Sequence, residues 1–151
     1  MKPKEIVPYI EDFKNIACGI DGSEESYRAL KMAAHLTNIF QAKLWIIHVV
    51  PIPTELIALG ASITEIEALL REKSSPKIKK AEKYASTLAI NYTSAILQGD
   101  PADEIIAFCM SKKVDLLVIG YQGRGKIAKF LMGSVGNKIL NLAQIPLLIV
   151  K

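Results

Sequence analysis

The chain has 151 residues, of which 50% are hydrophobic and 23% charged, and its formal net charge is +4. This length suits one domain with its own core, and the apolar fraction excludes a disordered chain. No window approaches the roughly 18 consecutive apolar residues of a membrane helix. The lysine-containing start is not followed by an apolar run, which argues against a signal peptide and predicts a cytoplasmic protein. The modest positive charge suits an anionic ligand but does not indicate a nucleic-acid partner.

The cysteines and histidines are predicted to have structural or surface positions. Cys18 and Cys109 are too few and too far apart for a disulfide framework or a metal site. Both lie among apolar residues, so we expect two small buried side chains. His48 has no second His or Cys near it in the sequence, which favours a buried structural histidine. His35 lies on a predicted helix and is expected at the surface.

The first part of the chain predicts a strand, a helix and a second strand. Asn15–Ile20 is a short apolar run followed by turn residues, as in a buried strand. Ser23 is a candidate N-cap for a helix that lasts to about Asn38, and acidic residues follow it in the first turn. Lys43–Val50 is almost unbroken in its apolar character, which indicates a strand covered on both faces of a parallel sheet.

The stretch 54–90 is the longest between predicted strands. It shows helical periodicity in Ile63–Leu70 and then a predicted break at Ser74–Pro76. Ser75 as N-cap with proline at the first helical position would restart a helix through Leu88. A run of lysines here is expected to form a solvated helix face, since no aromatic residues alternate with them as in RNA or DNA binding; its members are Lys73, Lys77, Lys79, Lys80 and Lys83.

The second part of the chain repeats the alternation of strands and helices. Tyr92–Gln98 is a third predicted strand, and Asp100 caps a helix that has proline at its first position. Leu116–Ile119 and Pro146–Val150 are the fourth and fifth strands, with a helix at Ser134–Leu142 between them. The order βαβαβαβαβ predicts an α/β fold in which a parallel sheet is covered by helices on both faces.

Ligands of such sheets bind at the carboxyl ends of the strands, near the switch in strand order. The loops after strands one and four, residues 21–23 and 120–133, are therefore the candidate site. The second loop is rich in glycine and carries Arg124, Lys126 and Lys129. These cations are placed to neutralise phosphate charge or, alternatively, to face solvent on the loop.

Two common phosphate-binding templates fit this loop poorly. Residues 120–126 satisfy G-x-x-x-x-G-K, but Ile127 stands where a P-loop needs a Ser or Thr hydroxyl for Mg²⁺. Residues 123–128 fit the dinucleotide fingerprint G-x-G-x-x-A, but that fold needs an acidic residue about 20 positions further on, on a following strand, to hold the ribose. Ile145 and Pro146 occupy that place here.

A longer pattern fits better. Gly120 is separated by two residues from Gly123, and then nine residues, 124–132, precede Gly133 and Ser134. This G-x₂-G-x₉-G-S spacing resembles the nucleotide-binding motif of the universal stress protein family.

The resemblance covers residues 15–151 and leaves residues 1–14 as an N-terminal extension. It includes the opening I-x-x-G-I-D-G-S, the strand Trp45–Val50, the turn and helix that begin at Gly99, and the ending Ile145–Val150. It implies a single three-layer sandwich with a five-stranded parallel sheet, Rossmann-like, of the adenine nucleotide alpha hydrolase type.

The resemblance to the ATP-binding branch of the family also implies site residues. Asp21 matches the acid at the end of strand one, expected near the adenosine, although it is also a candidate Asx-turn residue. Val49 matches the strand-two position whose backbone meets the adenine edge, and without nucleotide it would be sheet core. Gly120 and Gly123 would let the backbone approach ribose and phosphates without a side chain between them.

The helix after the loop would hold the phosphates. Gly133, Ser134 and Val135 would present backbone N–H groups and a hydroxyl at a helix N-terminus, where the helix dipole favours phosphate. One position departs from the family pattern, because Gly136 stands where ATP-binding members often have Ser or Thr. Losing that hydroxyl would remove a hydrogen bond of about 1 kcal/mol.

The implied function is that of a regulatory protein that binds ATP, or another adenine nucleotide, with Mg²⁺ or Mn²⁺ held by the phosphates. Phosphoryl transfer needs a group that positions water and a carboxylate that holds metal. Near the loop the sequence shows only Asp115, at the wrong end of strand four, so hydrolysis is expected to be slow at most. The alternatives are a slow ATPase and a nucleotide-free structural dimer.

The family commonly forms dimers through its last strand. Here Leu147–Val150 is apolar and would form an aggregation-prone edge if it were exposed. A homodimer through the C-terminal strand is therefore expected.

Overall fold

The computed structural model describes residues 12–52, 54–121 and 132–151. In these residues, five parallel strands form one sheet, and five helices accompany them. In chain order the elements are β1 Asn15–Gly19, α1 Glu24–Phe40, β2 Lys43–Val50, α2 Thr54–Ala58, α3 Ile63–Ser86, β3 Asn91–Gln98, α4 Pro101–Ser111, β4 Leu116–Gly120, α5 Ser134–Leu142 and β5 Leu147–Val150. The predicted α/β fold, with its five-stranded parallel sheet, is confirmed.

The strand order in the sheet is β3-β2-β1-β4-β5, so β1 pairs with both β2 and β4. Strands β2 and β3 lie on one side of β1, and the later strands β4 and β5 lie on its other side. The switch point lies between β1 and β4, and the loops that follow these two strands leave the sheet in opposite directions. A crevice at the carboxyl ends of the strands results from this topology.

The sheet separates two apolar cores. One core lies between the sheet and helices α1 and α3 and includes Leu30, Leu44 and Ile78; the other lies under α4 and α5 and includes Ile105 and Ile139. Successive residues of β2 point alternately to these cores, as in any strand buried on both faces. The arrangement is the three-layer sandwich expected from the sequence.

Both cysteines are buried and unpaired, as the sequence predicted. Cys18 lies in the α1/α3 core and Cys109 in the α4/α5 core. Burial raises the pKa of both thiols, that of Cys109 to about 12, so neither is an activated nucleophile.

The predicted helix break at Ser74–Pro76 is wrong. Helix α3 runs without interruption from Ile63 to Ser86, with Pro76 inside it, so Ser75 is not an N-cap. Apolar residues at helical spacing pack α3 against the sheet, and this tertiary packing outweighs the local cost of the proline. Pro76 itself faces solvent, and the Ser74 hydroxyl donates a hydrogen bond of 2.6 Å to the Leu70 carbonyl one turn earlier.

The start of β1 is tied to the base of β4. Asp115 accepts hydrogen bonds from the backbone N–H groups of Lys14 and Asn15, at 2.8 and 2.7 Å. Phe13 contacts Phe40 edge to face, with ring centroids 4.9 Å apart. Phe13 and Lys14, which belong to the predicted extension, therefore contact the domain. Residues 1–11 of that extension lie outside the described residues.

Candidate functional site

The turn after β1 forms the first wall of the site. Asp21 Oδ1 accepts hydrogen bonds from the backbone N–H and the hydroxyl of Ser23, at 2.8 and 2.6 Å. The Ser23 hydroxyl in turn accepts from the N–H of Ser26 and caps α1. Gly22 has a φ of 89°, a conformation that favours glycine. These bonds hold the carboxylate of Asp21 at the mouth of the crevice in the Asx-turn geometry considered for it.

The end of β2 forms the second wall. Ile47 accepts a backbone bond from Ile20 on the β1 side, whereas Val50 accepts one from Gly99 on the β3 side. Because backbone groups of a strand alternate between its two neighbours, the N–H and C=O of Val49 point toward β1. Strand β1 ends at Gly19, so Val49 presents its backbone where the neighbouring strand has turned away.

His48 is buried beside this wall, as predicted for a structural histidine. It is 4% exposed, and its Nδ1 lies 2.6 Å from the carbonyl oxygen of Ile20. A carbonyl only accepts hydrogen bonds, so Nδ1 carries the proton. This bond ties the β1 turn to β2. His35 is exposed, as expected.

The end of β4 explains one glycine of the motif. A Cβ on Gly120 would lie 2.8 Å from the backbone carbon and 2.9 Å from the carbonyl oxygen of Glu25 in α1. The close approach of α1 to β4 therefore requires glycine here, whatever else the backbone contacts. Gly123 and Arg124 fall in 122–131, outside the described residues, as do Lys126 and Lys129. A hydrogen bond links the described residues before and after that range: the N–H of Gly133 donates to the Tyr121 carbonyl at 3.4 Å.

The N-terminus of α5 has no side-chain cap. Gly133 is its N-cap residue and, as a glycine, offers no side-chain acceptor to the N–H groups of the first turn. Helices α1, α3 and α4 differ, since Ser23, Ser62 and Asp100 cap them through side-chain oxygens. The first N–H groups of any helix lack intrahelical acceptors and carry partial positive charge. In α5 these donors open toward the crevice.

Gly136 is buried in the first turn of α5 and faces Met132. A Cβ at this position would lie 2.7 Å from Met132 Cε and 3.1 Å from Met132 Cγ. The space that a serine or threonine would take is thus filled by a flexible methionine side chain. The departure from the family pattern is accommodated by packing.

A single cavity of about 520 Å³ connects these walls. It brings together residues that are far apart in the sequence and that the family resemblance singled out, namely Asp21, Val49, Gly120, Gly133, Ser134 and Val135. The N-terminus of α5 brings backbone N–H groups to one side of the cavity, and the β1 turn brings the Asp21 carboxylate. The arrangement can hold a ligand with an anionic end and a flat polar end, which is the chemistry of a nucleotide.

Helix α3 forms a further wall of the cavity that was not anticipated from the sequence. Ser74 and Lys77 of α3 line the same cavity, as do Ser26 and His48. Ser26, His48 and Ser74 are three of the four buried polar side chains among the described residues. The available signal was a polar residue inside an apolar helical stripe, Leu70–Ser74–Ile78, which the predicted break concealed.

An ion cluster joins α5 to α4 beside the cavity. Lys138 Nζ lies 3.0 Å from Asp100 Oδ1 and 2.8 Å from Asp103 Oδ2. The pKa of Asp100 is lowered, first by the N–H of Asp103 and then by Lys138, and the pKa of Lys138 is raised by the two carboxylates. These groups are exposed, so the cluster orients α5 more than it stabilises the fold.

Comparison with known proteins relates the whole described domain to one family. The model of the "Universal stress protein family" matches residues 12–151. The universal stress protein MJ0531 of Methanocaldococcus jannaschii is 34% identical over 140 residues, which cover 92% of this chain and 82% of that protein.

Two solved structures with bound nucleotide share the fold. A universal stress protein in complex with cAMP matches with a TM-score of 0.74 and 24% identity, over 92% of this chain and 97% of its own. The universal stress protein of Archaeoglobus fulgidus in complex with dAMP matches with a TM-score of 0.68 and 18% identity, over 92% and 98%. Within the ranges described here, no helix is long and apolar enough to cross a membrane.

Proposed function

Because the chain belongs to the universal stress protein family, we propose that it binds an adenine nucleotide, ATP foremost, in the cavity between the β1 turn and α5. In this role it is a nucleotide-dependent regulatory module of a stress response, working in the cytoplasm without a nucleic-acid or membrane partner. The ligand-dependent change would be read by a protein partner.

The uncapped N-terminus of α5 is the observation that carries this proposal. Its first turn and Ser134 line the cavity, its N-cap glycine offers no side-chain acceptor, and phosphate oxygens are suitable acceptors for such N–H groups. At the other side of the cavity, the backbone of Val49 offers one donor and one acceptor to a base edge, and Asp21 offers a carboxylate to ribose hydroxyls.

The relatives support adenine as the base. The two nucleotides named above, cAMP and dAMP, share adenine and differ in sugar and phosphate. An adenine edge that is read by backbone groups places few demands on side chains, which fits a site preserved at low sequence identity. Mg²⁺ or Mn²⁺ would be held by the nucleotide's own phosphates and would neutralise their charge.

We propose that hydrolysis is slow or absent. Among the described residues that line the cavity, Asp21 is the one carboxylate, and its Oδ1 is engaged by Ser23. Efficient phosphoryl transfer needs a metal-holding carboxylate and a group that positions water. Purified protein should therefore turn over ATP more slowly than about 1 s⁻¹ without a partner. Faster turnover would favour the ATPase alternative.

A homodimer through β5 is part of the proposal. Strand β5 is at an edge of the sheet, pairs with β4 on one side, and consists of four apolar residues that are each only partly buried. Such an edge is protected when it pairs with or packs against another chain.

The first experiment is to denature purified protein and identify released nucleotides by mass spectrometry, followed by titration with ATP, AMP and cAMP. Wild-type protein should bind adenine nucleotides, and Gly133→Val should weaken ATP binding at least about tenfold by adding bulk beside the α5 amides. The φ of Gly133 is −59°, so valine introduces no backbone strain there. Gly123→Val tests the loop in the same way.

Unchanged ATP affinity in both variants would show that the assigned site is wrong. Wild-type protein that neither carries nor binds any adenine nucleotide, yet forms a stable dimer, would favour the nucleotide-free structural alternative. The thermal unfolding midpoint of each variant serves as the control for folding.

A further inference from the structure

Two oppositely charged side chains line the cavity, and the sequence predicted one of them as a site residue. Apart from His48, the described lining residues whose side chains carry a charge at neutral pH are Asp21 and Lys77. Asp21 was expected from the family resemblance of the β1 turn, whereas Lys77 comes from α3 and is the only lysine or arginine among those lining residues. A polyanionic ligand placed near a carboxylate needs a compensating cation.

Lys77 is held at the cavity by contacts of its own backbone and of the preceding turn. The Tyr27 hydroxyl of α1 donates a hydrogen bond of 3.3 Å to the Lys77 carbonyl. Ser74, 1% exposed, and Ile78, 5% exposed, anchor α3 on either side of it. The position of the Lys77 backbone is therefore defined by packing against α1 and the sheet.

Lys77 differs from the other lysines of the basic run that the structure describes. Lys79, Lys80 and Lys83 are exposed, whereas Lys77 is half-buried and lines the cavity. Lys80 Nζ lies 4.1 Å from the centre of the Tyr27 ring, on the outside of the same contact. The helix thus places one lysine at the cavity and leaves its neighbours in solvent.

We infer that Lys77 binds an anionic group of the nucleotide and makes the site prefer phosphorylated adenine ligands to adenosine. This inference rests on the proposed function and adds a residue outside the glycine motif. Lys77 is half-buried as a residue, and a charge in a partly enclosed site is less screened than one in open solvent, so its attraction to phosphate is stronger. Its three donor hydrogens can serve a protein acceptor and a phosphate oxygen together.

The α5 N-terminus and Lys77 have complementary parts in this arrangement. Helix amides supply directed hydrogen bonds with a partial charge of about +0.5. Lys77 supplies a full charge from the opposite helix layer and offsets Asp21. Charge selection should therefore depend on Lys77 more than on any single backbone donor.

The test compares Lys77→Met with Lys79→Met, a matched loss of charge from the exposed face of the same helix. ATP, AMP and adenosine are titrated into each protein by calorimetry. In Lys77→Met the Kd for ATP should rise about tenfold or more, because a charged hydrogen bond is lost. The Kd for adenosine should change little, and Lys79→Met should match wild type for all ligands. Lys77→Arg, which keeps the charge, should retain most of the preference for ATP.

The outcomes separate this inference from the proposed function. If wild type binds ATP and Lys77→Met keeps the same ratio of ATP to adenosine affinity, the inference is overturned and the proposed function stands. Equal weakening of both ligands would show a structural role and would also overturn it. If wild type binds no adenine nucleotide, both fail. Thermal unfolding midpoints establish that each variant is folded.

Discussion

Gly120 serves the packing of α1 as well as the wall of the cavity. The backbone of Glu25 comes so near that any Cβ would overlap it. The motif predicted a glycine that lets a ligand approach, and the structure adds a protein backbone that approaches from the other side. Whether a ligand also needs this glycine remains a prediction, but the fold alone already excludes larger residues.

Gly120→Ala should destabilise the domain by about 1–3 kcal/mol, because the new methyl group meets rigid backbone. Gly19→Ala is the matched control, since its Cβ would meet the flexible end of Ile105 at 3.3 Å and should cost less. Urea unfolding of both variants measures the free energies. Equal losses in the two variants would contradict this account.

Residue-level prediction succeeded where one residue has one local requirement. Ser23 and Asp100 cap their helices as their positions indicated. Lys77 shows the limit of such reasoning, because five lysines of one run look alike until the helix is placed in the fold. The direction of each side chain depends on where α3 packs, and no local pattern contains that information.

Helices α4 and α5 are coupled through Lys138, which contacts both Asp100 and Asp103. Asp100 is also the N-cap of α4, and its side chain accepts from the N–H groups of Ala102 and Asp103. Its carboxylate therefore connects the start of α4 to the helix that presents the candidate phosphate donors.

This coupling predicts a pH dependence of stability. The pKa of Asp100 is lowered in the folded state, so its stabilisation is present above the unfolded pKa of about 3.9 and is lost as pH falls through the lower folded value. Asp100→Asn keeps a capping oxygen but removes the charge. Its thermal midpoint should lie below that of wild type near neutral pH, and the difference should close in acid. A difference that is independent of pH would assign the effect to capping alone.

Helix α3 shows why element boundaries were less predictable than element types. Serines followed by proline are typical of a helix start, and that local signal is sound in isolation. In the folded chain, an apolar stripe continues through the same residues and buries against the sheet. Long-range packing keeps the helix continuous and leaves the proline on its solvent side.

At the scale of the whole molecule, β5 is the last strand of the sheet that the described residues form. Pro146 and Val150 direct their carbonyls to β4, where they accept from Leu117 and Tyr121. By alternation, Leu147 and Ile149 direct their backbone groups away from the sheet. These groups, with the apolar side chains around them, are available to a second chain in the proposed homodimer.

Ile149→Pro should reduce the dimer to monomer, because it removes an outward N–H and leaves the bonds to β4 in place. Ile149→Ala loses comparable packing but keeps the N–H, so it should remain dimeric at the same concentration. Light scattering gives the molecular mass, and circular dichroism confirms that both variants fold. A monomeric wild type would contradict the proposed dimer outright.

The sequence by itself determined the fold class, the number of strands and their order along the chain, and the segments whose loops meet at the cavity. These follow from hydrophobic periodicity, capping residues and the handedness of parallel crossovers, which are local or nearly local properties. Only the tertiary structure decided that α3 is continuous, that Gly120 accommodates α1, and that Lys77 lines the cavity while its exposed neighbours do not. These features depend on how layers pack across the sheet, because contacts between residues distant in the chain leave no periodic trace in it.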